Sequence, residues 1–120
     1  MKTIQIDREV LCSIYGECHS GLNEVFSEFL GSYDELKQNL FSAFESGNLS
    51  SLKRLLHFHG PSFMYLGIPS VAGMFKELEH KCSQADNYFL VADDFKNLMQ
   101  LVEESWQQVV YEMEYFKRAV

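Results

Sequence analysis

The stretch Leu55-Leu56-His57-Phe58-His59-Gly60-Pro61-Ser62-Phe63-Met64-Tyr65-Leu66 holds the side chains best suited to chemistry, and His57 leads them. A neutral imidazole near pH 7 is a competent nucleophile. Whether a partner can reach it depends on the side of the helix it occupies. Leu52, Leu55, Leu56, His59, Phe63 and Leu66 recur at intervals of three and four and mark a buried stripe. His57 falls off that stripe. One turn back and one turn on stand Lys53, Arg54, Gly60, Pro61 and Met64, which gives the imidazole two cations and a small-residue clearing that another protein could approach. His59 lies on the stripe and is expected to be partly buried and hydrogen-bonded. His80 is expected in solvent and His19 in a loop, neither with a role.

Other chemistries fit less well. His57, His59, His80 and Cys82 are zinc-ligand types, but H-x-H with a distant H-x-C is not a usual structural set, so no metal is expected. Glu103, Glu104, Glu112 and Glu114 read as a solvated helix face rather than an acid/base pair. There is no Gly-rich phosphate loop.

The scaffold for these residues is read from the chain as a whole. With 120 residues, 47% hydrophobic and 22% charged, residues 1–120 fit one folded domain with a modest core. The net charge of −7 offers no cationic surface to a nucleic acid or an anionic membrane. Cys12, Cys18 and Cys82 are an odd set without CxxC spacing, which fits free thiols in a reducing cytosol. The early charges Lys2, Asp7, Arg8 and Glu9 leave no apolar signal-peptide region, so a cytoplasmic location is expected. From Leu55 to Phe75 no Asp, Glu, Lys or Arg occurs, but two His, two Pro, three Gly and two Ser make this a poor membrane span.

Nearly the whole chain reads as helix. Asp7 can cap a short first helix to about Tyr15, with a break over Gly16 to Ser20 and a new cap at Ser20. A long second helix follows the apolar positions from Leu22 to Phe44 and stops at Gly47-Asn48. Ser50 is expected to cap the helix that carries His57. Pro61 inside that helix should kink rather than end it, because Phe63 and Leu66 extend the stripe without a change of phase. Pro69 opens a fourth helix over Val71, Phe75, Leu78 and Cys82, and a turn at Ser83 to Asn87 precedes a long last one. The fold class expected is all-α, an antiparallel up-and-down four-helix bundle with a short extra N-terminal helix. Phe26, Phe29, Phe44, Phe63, Phe75 and Trp106 are assigned to the core, and Phe58, Met64 and Tyr65 to exposed contacts.

In this arrangement the chain resembles the histidine-containing phosphotransfer domains of multistep two-component phosphorelays. That family's pattern is approximately His-x-(Leu/Ile)-Lys-(Gly/Pro)-Ser, an apolar stretch to a Gly ten residues after the His, and later a Leu-Glu pair. His57, Pro61, Ser62, Phe63, Gly67, Leu78 and Glu79 match it, whereas His59 replaces the apolar residue and Gly60 the Lys. The resemblance implies that His57 is the phosphoacceptor, framed by Lys53, Arg54, Gly60, Pro61 and Met64. It implies a carrier without its own catalytic centre, no cofactor on this chain, and Mg²⁺ on the partner. The partners implied are response-regulator receiver domains or a hybrid sensor histidine kinase, and nothing in the sequence requires more than a monomer. If the missing cation matters, Gly60→Lys is expected to raise transfer rate or phosphohistidine lifetime, whereas no change would mean that Lys53 or Arg54 already suffices. The rival readings are a degenerate module that docks receivers or kinases without carrying phosphate, and a structural subunit with His57 buried in an interface.

Overall fold

Helical segments follow one another along the chain with short links. The computed structural model describes residues 4–16 and 19–119, with the side chains of residues 19, 88 and 116–119 outside the description. It contains α1 (Arg8–Tyr15), α2 (His19–Glu45), α3 (Leu49–Tyr65), α4 (Pro69–Gln84), a 3₁₀ turn (Tyr88–Val91) and α5 (Ala92–Ala119). The protein is all-helical, with no strand among the described residues. The long α2 and α5 stretch the molecule to 50 × 27 × 23 Å.

Local chemistry accounts for most helix ends. The Asp7 carboxylate accepts from the backbone amides of Glu9 and Val10, as an N-cap should. Pro69 occupies the first turn of α4, where its missing N–H costs nothing. Two expected caps move. Asn48, not Ser50, caps α3 by accepting from the Ser51 amide, and Ser20 lies within α2, which begins at His19. Asn48 and Ser50 are both good cap residues, so local sequence did not separate them. Of the break expected over Gly16 to Ser20, His19 and Ser20 are instead helical, so His19 is not in a loop, while residues 17 and 18, Cys18 with them, lie outside the described residues, as do the side chains of His19 and Phe116.

α3 is the element around which the others assemble. It packs most extensively on α4, then on α2, while α5 packs on both α2 and α4. Its stripe is buried as the periodicity requires, at Leu52, Leu56, Phe63 and the adjoining Leu66. Pro61 sits inside α3 and the helix continues through it. Proline has no amide to donate, so the His57 carbonyl lacks its usual partner four residues on.

α1 is fastened across the ends of other helices. Gly67, at φ +80°, lets the chain turn out of α3, and its carbonyl accepts from the Asp7 amide at 2.7 Å. A Cβ there would fall 2.8 Å from Leu11 Cγ, so the turn needs glycine for both conformation and space. The Tyr15 hydroxyl donates to the Tyr65 carbonyl at 2.8 Å, and Arg8 forks onto Glu112 at 3.0 and 3.2 Å. Glu112 is thus 4% exposed and ion-paired, which corrects its placement on a solvated face. Trp106 also departs from expectation. It is 37% exposed, lying over Tyr33 at 5.6 Å as an edge to the core.

Candidate functional site

The site begins with the absence of a side chain at Gly60. A Cβ added there would fall 2.9 Å from Phe75 Cβ, so Gly60 is buried and α4 lies close against α3. Residues 60 and 57 on α3 meet 75 and 79 on α4, so the two helices run antiparallel. One turn of this close packing brings Glu79 to His57, with the carboxylate oxygens 3.1 and 3.2 Å from Nδ1.

That contact sets the chemistry of the ring. A carboxylate can only accept, so Nδ1 is the proton-bearing nitrogen in this contact, and in the neutral form of the ring Nε2 presents its lone pair. His57 has its side chain 78% exposed, whereas that of Glu79 is 22% exposed. The arrangement is an accessible nucleophilic nitrogen oriented from behind, with Glu79 able to stabilise any cationic character in the ring. In the sequence Glu79 stands out only as part of the matching Leu-Glu pair. Its bond to His57 spans two helices, and no local spacing encodes it.

The other candidate residues divide. Lys53, Arg54 and Pro61 are exposed, Met64 is 42% exposed, and neither cation is in an ion pair among the described residues. Helical side chains lean toward the N-terminus, which brings the His57 ring over the turn that carries Lys53 and Arg54. Gly60 does not form part of an open clearing. It is filled from behind by Phe75, so the expected benefit of Gly60→Lys is corrected: a lysine there must first displace α4. Phe58 and Tyr65 are exposed, as expected of contact residues. His80 is exposed as well.

His59 lies around α3 on the side of α2, half-buried, in a groove of about 640 Å³ lined also by Phe29, Glu35 and Phe63. Burial pushes its pKa down, with a smaller opposing effect from Glu35. Among the described residues, no group of three or more His, Cys, Asp or Glu could hold a metal, and Cys12 and Cys82 are free. No described helix is long and apolar enough to cross a membrane. Comparison with protein-family models, curated proteins and solved structures finds no match to the chain.

Proposed function

We propose that the chain is a phosphorelay intermediate, in which His57 takes a phosphoryl group from a receiver-domain aspartate and passes it to another receiver. The observation that carries this reading is an imidazole whose side chain is 78% exposed and whose Nδ1 is held by Glu79. The sequence resemblance to phosphotransfer domains supports it independently. In this reading α2 to α5 form an antiparallel up-and-down four-helix bundle, capped by α1, and α3 presents His57 on one side.

The chemistry follows from the tautomer. The Nε2 lone pair attacks phosphorus, the P–O bond to the partner's aspartyl phosphate breaks, and the carboxylate leaves with the electron pair. Nε2 bears no proton to remove, so the step needs no local base. The ring becomes cationic with its proton still on Nδ1, opposite the Glu79 carboxylate. In-line positioning and Mg²⁺ come from the receiver, and Lys53 and Arg54 offset phosphate charge from this side. Onward transfer is the same displacement in reverse.

Incubation with a phosphorylated receiver tests the proposal. Acid-labile, alkali-stable label is expected on the wild-type chain and none on His57→Gln, with helicity and melting temperature nearly unchanged. Label that persists in His57→Gln but disappears in His59→Gln would move the acceptor to His59. An unmodified wild-type chain that still binds the receiver would make it a docking module without phosphate.

A further inference from the structure

The side of α2 that faces away from α3 carries a short pattern that is complementary to itself. Leu30, Asp34, Lys37 and Phe41 stand at i, i+4, i+7 and i+11, which puts them in one stripe along the helix. From either end the stripe runs apolar, charged, charged, apolar, and reversing its direction exchanges the acid with the base. A second copy of α2 laid antiparallel, with a two-fold axis between residues 35 and 36, therefore sets Phe41 against Leu30 of the second copy and Asp34 against Lys37 of the second copy. Symmetry makes each contact twice. An isologous interface needs this property, because one surface must fit its own rotated image.

The stripe is open to such a partner. Phe41 is 40% exposed although its ring meets Phe95 of α5 edge-on at 5.4 Å, and Leu30 is only partly buried. Asp34 is exposed, and neither it nor Lys37 is in an ion pair among the described residues. The Lys37 ammonium lies 5.0 Å over the ring of Tyr33, which also stacks on Trp106, so the half-exposed indole extends the apolar rim of the stripe. A shallow hollow of about 510 Å³ runs along this face between Asp34 and Glu45. Glu45 falls opposite Ser27 in the antiparallel register, so like charges do not meet at its end.

We propose that the protein forms a two-fold symmetric dimer through this face of α2, held by the Phe41–Leu30 contacts and the Asp34–Lys37 pairs between copies. The paired length of α2, residues 26 to 45, is roughly 30 Å at 1.5 Å per residue. One helix face with Trp106 at its rim is a small interface, so the dimer is weak and forms only as concentration rises. Charge complementarity sets the register, since a parallel pairing in register would put Asp34 against Asp34 and Lys37 against Lys37. The contact leaves α3 and α4 uncovered, so each copy keeps His57 accessible, and the inference does not rest on the proposed function.

Sedimentation equilibrium of the full chain from micromolar to millimolar concentration tests the proposal, at an ionic strength that screens the net charge of −7 on each copy. A reversible monomer–dimer equilibrium is expected for the wild type. Asp34→Lys and Lys37→Asp should each weaken it by about tenfold or more, because the stripe becomes all basic in one and all acidic in the other. Mixed in equal amounts, the two variants should associate with each other about as well as wild type with itself, which also shows that both are folded. The double variant Asp34→Lys with Lys37→Asp should dimerise like wild type, and Phe41→Ala should not. Glu77→Lys on α4, with the same change of net charge as Asp34→Lys, and His57→Gln should both dimerise like wild type. A chain that stays monomeric at millimolar concentration would overturn the proposal. So would a dimer indifferent to the two single reversals, or single variants that fail to associate when mixed, since the face would then meet a different surface.

Discussion

The two flanks of α3 are built from one helix but packed in opposite ways. Toward α4 a glycine lets the backbones approach closely, and a polar pair across the seam, His57 with Glu79, sits at its solvent edge. Toward α2 the bulky Phe29, Phe63 and His59 keep the helices apart and leave a groove. A close seam holds a side chain in one orientation, because its partner cannot move away. An open trough leaves apolar surface that folding itself did not cover. The first property suits a nucleophile that must be aimed.

Filling the seam is the most severe way to break this contrast. Gly60→Leu must push Phe75 away at its Cβ, close to the α4 backbone, so destabilisation of roughly 1–3 kcal/mol or more is expected in urea unfolding. Gly60→Lys should behave similarly and should impair phosphorylation of His57, contrary to what the motif alone implies. If Gly60→Lys folds with wild-type stability, the close approach of α3 and α4 is wrong.

Removing the orienting carboxylate is a gentler probe of the same seam. Glu79→Ala should slow phosphoryl transfer to His57 on the order of tenfold, the low end of the scale on which carboxylates that orient a metal-bound histidine act. Glu79→Gln, whose amide oxygen still accepts from Nδ1, should lie between. Rates unchanged in Glu79→Ala would mean that the contact with His57 does not set the tautomer that reacts.

The groove side is tested through pH. His59 has a folded pKa below its ordinary value, so the unfolded chain binds its proton more readily. Its stabilising contribution is therefore complete above the ordinary value of about 6.5 and is lost as pH falls from there through the folded pKa. The urea midpoint should fall between pH 7.5 and pH 5, and His59→Phe should reduce that fall. The smallest effect is on the outer wall, where Gly31→Ala should stabilise the chain by about 0.5–1 kcal/mol. Destabilisation instead would mean that Gly31 meets a neighbour within the fold.

What could be read in the chain was whatever repeats within a few residues. The spacing of Leu52, Leu56 and Phe63 assigned the inner face of α3, and with it the exposure of His57 and the half-burial of His59, because a helix has a constant 100° step. Asp7 and Pro69 announced their helix starts through chemistry confined to a single turn. Cap choice was less legible where two suitable residues, Asn48 and Ser50, stand two apart.

Pairings between distant segments were decided only by the tertiary structure. Gly60 could be an open clearing or a packing contact, and the answer depends on Phe75, which another helix brings to the same height. Glu79 becomes the partner of His57 across 22 residues and Glu112 that of Arg8 across 104. Trp106 has a core-like composition yet lies at the rim, because α2 offers it Tyr33 there rather than a pocket. Periodicity tells which way a side chain points along its own axis. What it meets depends on how the axes are arranged, and that arrangement minimises exposed apolar surface over the whole molecule rather than over any local window.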